Sequence, residues 1–300
     1  MKIFLASFAS LVIASEAVCS TPATLTCKFT PKKPKLDGNL KDWSKVQGIE
    51  TDLYNIFSVE YYGGAATYKC LYDNSHIYFA LSIPGPYRFD SADNHKCASV
   101  STMFKVGKLA TFVDMGGCQD ALFEGACSSG VPPQCDEYRV DIGAHWELSG
   151  TEQGTLYAMD STLVSGNDPV ANLDDEYAVS PYCRFDDGGE GAGNEWSGAW
   201  AHTNSSEIGA EGDYLFELSR LLQTKTNATD LQVLSPGDTY SFGIAYWDPF
   251  ETEATGWSDA DHFLTGCANQ WIDLVLEAPK KKKKKATKKP KKMKKKAAKM

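Results

Sequence analysis

Residues 76 to 83 alternate with a period of two: Ile77, Phe79, Leu81 and Ile83 fall on one side, Tyr78, Ala80 and Ser82 on the other. Only an extended strand collects such a set on one face, because a helix repeats every 3.6 residues. The run at 66 to 71 precedes it across Tyr72-Asp73-Asn74-Ser75, so the pair reads as a hairpin with one buried face. A second alternation spans 239 to 247, with Tyr240, Phe242, Ile244 and Tyr246 opposite Ser241, Gly243, Ala245 and Trp247. Small residues backing aromatics suit two closely packed sheets. Further strands are expected at 155 to 159, 213 to 218 and 270 to 277, and short helices at 218 to 222 and 40 to 45. Connections rich in Gly, Asp, Asn and Pro complete an all-β class, an immunoglobulin-like β-sandwich with short helical insertions.

Residues 1 to 20 open with one lysine, continue through an apolar run and end in small residues, the pattern of a secretory signal too short to span a bilayer. Cleavage after Ser20 removes Cys19 and leaves Cys27, Cys70, Cys97, Cys118, Cys127, Cys135, Cys183 and Cys267. An even set in an exported chain reads as a disulfide framework whose pairing spacing cannot choose. No C-x-x-C occurs, which argues against zinc and thioredoxin-type redox chemistry, and without C-x-x-C-H no haem is attached covalently. Asn204-Ser205-Ser206 and Asn227-Ala228-Thr229 fit N-glycosylation sequons. The expected location is extracellular or within the secretory lumen.

The net charge of −9 hides a division. Residues 280 to 300 hold 14 Lys and no acid; residues 1 to 279 hold 16 basic and 39 acidic residues, a formal charge of −23. So acidic a body repels nucleic acid and anionic membranes. The lysine-rich tail has too little apolar content to offset the entropy of ordering and is expected to be disordered, with an anionic polysaccharide, a mineral matrix or the acidic body itself as its partner. Residues 21 to 279 form the single expected domain.

Between Phe112 and Trp146 lie the turn Asp114-Met115-Gly116-Gly117, a cysteine-rich loop and the run Val140-Asp141-Ile142-Gly143-Ala144-His145-Trp146. Upstream stand Leu36-Asp37-Gly38 and Trp43, then the 68 to 83 hairpin; downstream stands Trp271-Ile272-Asp273-Leu274. In this order the segments resemble the cytochrome c-552/DMSO-reductase-like haem-binding domains, which include the γ subunit of ethylbenzene dehydrogenase. Their DOMON-like fold is akin to family 9 carbohydrate-binding modules. The resemblance implies a sandwich that clasps a non-covalent haem b, with Met115 as one axial ligand. The lysine that often supplies the second ligand is missing, since residues 226 to 279 contain none. His262 in Trp257-Ser258-Asp259-Ala260-Asp261-His262 is the nearest substitute, with Asp259 or Asp261 to accept its second N–H. Met103 is a fallback ligand, and His145 is read first as half-buried structure and then as pocket lining.

Two functions follow as expectations. A haem held by Met115 and His262 would have both axial positions filled, which favours carriage of haem or electrons over oxygen chemistry. The alternative is a secreted, haem-free carbohydrate- or matrix-binding sandwich: seven Trp and 14 Tyr offer faces for sugar stacking. In either case the acidic stretches 186 to 190 and 248 to 261 offer carboxylates suited to Ca²⁺. Neither G-x-S-x-G nor H-E-x-x-H occurs, and no enzyme is expected.

Overall fold

The computed structural model describes residues 23–278 apart from 91, 94–95, 124, 148–174, 187–195, 225–232, 256–261 and 266–269. The signal-like segment, the lysine-rich tail and the strand expected at 155 to 159 therefore lie outside the described residues.

The molecule is an all-β sandwich. One sheet follows the order β10 (Ser197–His202), β11 (Glu211–Leu221), β5 (His76–Pro86), β4 (Ala66–Tyr72), with β2 (Gly48–Thr51) also paired to β4. The other follows β14 (Ile272–Leu276), β12 (Thr239–Trp247), β6 (Ser99–Lys105), β7 (Val140–Glu147), β8 (Asp175–Ser180), β9 (Cys183–Asp186). Beside β12 lie β13 (His262–Thr265) and, beyond it, β3 (Leu53–Tyr54). The first strand, β1 (Thr24–Phe29), belongs to both sheets, because Thr24 to Cys27 pair with β14 whereas Lys28 and Phe29 pair with β4. The Cys27–Cys70 disulfide pins this crossover, with Cα atoms 4.5 Å apart.

The alternations read from the sequence face the space between the sheets. Phe79 of β5 stacks on Phe242 of β12 at 5.0 Å and 7°, and Tyr68, Leu81, Ile83, Ile244 and Tyr246 join the same buried cluster. Arg220 of β11 also points inward, ion-paired with Asp141 of β7 at 2.9 Å and lying over the Phe104 ring at 4.8 Å. Both charges are fully buried, and such a pair is tolerated because each partner compensates the other's desolvation.

The segment expected to be helical at 218 to 222 is instead the end of an unbroken ladder from Glu211↔Pro86 to Leu221↔His76. With β5 on one side and β10 on the other, tertiary pairing overrides a five-residue helical preference. The expected helix at 40 to 45 is a 3-10 turn, Leu40–Trp43, on the outer face of the first sheet.

That turn explains the Leu36-Asp37-Gly38 and Trp43 motif. Glu217 points outward from β11; its Oε2 accepts the backbone N–H groups of Asp37 (2.8 Å) and Gly38 (2.7 Å), and its Oε1 accepts the Trp43 indole N–H (2.7 Å). Gly38 has φ +72°, and a Cβ there would stand 2.5 Å from the Trp200 carbonyl oxygen, so glycine is required on both grounds. The motif is a structural clamp.

Candidate functional site

At the end of the sandwich where β12 and β5 finish, Asp248 follows Trp247 and is fully buried. Its Oδ1 accepts the N–H groups of Phe250 (2.9 Å) and Glu251 (3.2 Å), capping the short helix α1 (Pro249–Thr255). Asp followed by Pro suits a helix start: the carboxylate satisfies free amides while proline, which has none, takes the first helical position. Asp248 Oδ2 accepts the hydroxyls of Tyr61 (3.0 Å) and Tyr62 (2.9 Å). Burial pushes the Asp248 carboxyl above the usual carboxylate range, although all four hydrogen bonds pull the other way. Burial and the neighbouring Asp248 push both phenols far up, so they stay protonated donors.

The two tyrosines point differently. Tyr61 is buried against Tyr246 and Phe263, and its hydroxyl also lies 2.8 Å from the Pro84 carbonyl oxygen. Tyr62 is 58% exposed although its hydroxyl is tethered. The same loop presents Phe57 at 70% and Val59 at 56% exposure. Asn55 holds the loop in shape, its Oδ1 accepting the N–H groups of Phe57 (3.0 Å) and Val59 (2.9 Å). Three apolar side chains are thus displayed on a braced support.

On the outer face of the second sheet, Trp247 stacks on His262 directly across the β12–β13 pair, with ring centroids 5.2 Å apart and planes 26° from parallel. Both are half-buried. Tyr54 of β3 lies further along that face, opposite Leu264, and its phenol is raised by burial and by Asp52 and Glu60. Behind α1, Arg88 lies over the Phe250 ring at 5.0 Å and pairs with Glu253. Tyr62 and Trp247 are linked through Asp248, which bonds one and adjoins the other in sequence.

The residues expected to hold haem are placed as follows. Met115 sits at φ +45° in the turn before Gly116 and is half-buried in an apolar cluster with Met103, Phe112, Ile142 and Leu264. Met103 and Met115 thus belong to one cluster, and His262 lies two residues from Leu264 on the same sheet face. His145 lies in β7; its side chain is outside the described set. The expectation of haem is corrected on the geometry of this face. The Phe112 ring occupies the place of a Cβ on Gly243 (2.3 Å) and lies 5.0 Å from Trp271, filling the space beneath the Met115 turn. Met115 packs against that cluster as a half-buried hydrophobe, and His262 stacks on Trp247. Of the acidic stretches expected to suit Ca²⁺, residues 187 to 190 and 256 to 261 lie outside the described residues; among the described residues no group of three or more His, Cys, Asp or Glu is placed to hold a metal, and the Ca²⁺ expectation is withdrawn there.

No protein-family model and no curated protein matches the sequence. Among solved structures, a family 9 carbohydrate-binding module from Caldicellulosiruptor kristjanssonii in complex with cellotriose is similar at 9% identity and a TM-score of 0.40, covering 85% of this chain and 94% of that one. A second structure of a family 9 module from that organism, with glucose, gives 10% identity and a TM-score of 0.38 over 86% and 98% of the two chains. A Bacteroides uniformis protein with a carbohydrate-binding designation gives 10% and 0.42 over 85% and 99%. The resemblance to the haem-binding family, with its iron and redox roles, is withdrawn: no family model matches the sequence, and Phe112 fills the outer face above Gly243.

Asp248 entered the sequence reading only as the start of an acidic stretch, and Tyr61, Tyr62 and Trp247 were not singled out as a site. The Tyr61-Tyr62 pair and the helix-starting Asp248-Pro249 were the available signals, but only the fold brings residues 186 positions apart into contact.

Proposed function

We propose that this protein is a secreted, non-catalytic carbohydrate-binding sandwich whose binding surface is the aromatic end built on Asp248. The observation that carries the reading is the exposed Tyr62 ring, tethered at its hydroxyl, with Phe57 exposed on the same braced loop. Sugars present flat C–H faces that pack on aromatic faces, and rings oriented before binding lose little entropy on contact. The Trp247–His262 stack extends the aromatic area on the adjoining sheet face.

Export is supported by the signal-like first 20 residues and by the disulfides Cys27–Cys70, Cys118–Cys135 and Cys127–Cys183, which persist in oxidising compartments. The 14 lysines of residues 280 to 300 supply a second contact, to anionic matrix. The test is co-sedimentation of the purified protein with cellulose, chitin and β-1,3-glucan particles, beside Tyr62→Ala and Trp247→Ala. Retention on at least one polysaccharide, lost in Tyr62→Ala, is expected; no retention on any of them overturns the reading.

A further inference from the structure

We propose that residues 280 to 300 dock on the Tyr62 and Phe57 surface of the same molecule, covering it until salt or a polyanion draws the lysines away. That the contact regulates glycan binding rests on the reading above; the contact itself does not.

Two properties of the surface fit the occupant. Tyr62 and Phe57 present exposed ring faces, which attract ammonium groups by about 0.5–1 kcal/mol each at exposed sites. Two carboxylates lie near them: Glu60 stands between the two in sequence, and Glu251, in the first turn of α1, acts on the Tyr62 phenol. The nearby cations are engaged, Arg88 with Glu253 and Lys96 with Asp90 and Asp93.

The opposite end of the sandwich, where the chain leaves, mixes both signs of charge. There β14 finishes, with Glu277 N–H donating to the Cys27 carbonyl (2.9 Å) and Gly237 N–H to that of Leu276 (2.7 Å), so the chain leaves beside the start of β12. β1, which contains Lys28, ends at the same place and leads into Lys32, Lys33 and Lys35. Lys28, Lys32 and Lys33 there offset Asp238 and Glu277, so the exit offers the tail no excess of acid, whereas the end with Glu60 and Glu251 does. The distance permits it: β12 from Thr239 to Asp248 is about 30 Å long at ~3.3 Å per residue, whereas the 22 residues after Ala278 can span about 70 Å.

Zero-length carbodiimide cross-linking of the full chain at low salt, mapped by mass spectrometry, tests the contact. Intramolecular links from the lysines of 280 to 300 to Glu60 or Glu251 are expected, together with their loss at high salt. Links confined to Asp238 and Glu277, or found only between two copies, overturn the proposal. A chain lacking residues 280 to 300 should hold polysaccharide about tenfold more tightly at low salt, equally at high salt, and return to the full-chain value when a peptide of residues 280 to 300 is added. Equal affinity of both forms at every salt concentration overturns the regulation. If the expected links form while neither form binds polysaccharide, the glycan reading fails and the tail contact stands.

Discussion

Tyr62 donates its hydroxyl to Asp248 across 2.9 Å, although 186 residues separate them and the tyrosine ring is largely in solvent. A surface tyrosine ordinarily samples several rotamers; this one is fixed at its tip by an acceptor that also holds a helix terminus. Orientation and exposure should therefore separate under mutation. Tyr62→Phe keeps the ring and removes the tether, so polysaccharide affinity should fall only several-fold, in line with the roughly 0.5–1.5 kcal/mol net contribution of one hydrogen bond. Tyr62→Ala should abolish retention while changing Tm little, and calorimetry of both variants checks the contrast.

Acidity should affect Asp248 in the direction opposite to most carboxylates. Its folded pKa is raised, chiefly by burial, so its stabilising contribution is fully present below the unfolded value of about 3.9 and is lost as pH rises through the folded pKa. Relative to the non-titrating variant Asp248→Asn, the wild-type chain should be most favoured at acid pH and progressively less so toward neutrality. Chemical denaturation of both proteins across that window measures the difference, and a gap that widens with rising pH would refute the assignment.

The hairpin turn at Asp73 should respond the other way. Burial alone would raise its carboxyl, but the backbone N–H groups of Ser75 (2.7 Å) and His76 (2.8 Å) and the hydroxyls of Tyr78 (2.7 Å) and Ser75 (3.1 Å) all donate to it, and its pKa is lowered. Its contribution is present above the unfolded value and disappears as pH falls through the depressed one. Amide exchange at Ser75 and His76 should accelerate there, and Asp73→Ala should cost about 1–2 kcal/mol at neutral pH.

Glu217→Ala strands three donors, the N–H groups of Asp37 and Gly38 and the indole of Trp43. A loss of about 2–4 kcal/mol is expected. Trp43→Phe, which removes one donor and retains most of the packing, should cost less. Urea denaturation of the two variants ranks them.

Phe112→Ala should open a cavity under the Met115 turn, with a loss of about 3–5 kcal/mol, whereas Met115→Leu conserves volume and should cost under about 1.5 kcal/mol. Thermal denaturation separates the two, and added haem should give no sharp Soret band with either variant or with the wild-type chain.

The strands expected at 66 to 71, 76 to 83 and 239 to 247 were legible, the first two running on to Tyr72 and Pro86, because each carries aromatics or branched aliphatics on one face and mostly small or polar residues on the other. The end of β11 was not, because Leu218 to Leu222 has strand character only between β5 and β10. The Met115 turn was visible as a turn, through Gly116 and Gly117 at positive φ, but its direction was not, since that depends on Phe112 settling on a glycine more than 120 residues away. The aromatic end was hidden for the same reason: Tyr62 becomes a fixed platform only once Asp248 arrives from the end of β12.

The most direct test is isothermal titration of the truncated chain, residues 21 to 279, with soluble oligosaccharides from whichever polysaccharide retains it. The account predicts one binding event, abolished by Tyr62→Ala, weakened by Trp247→Ala and unaffected by Met115→Leu. Binding that survives Tyr62→Ala at full strength would contradict it.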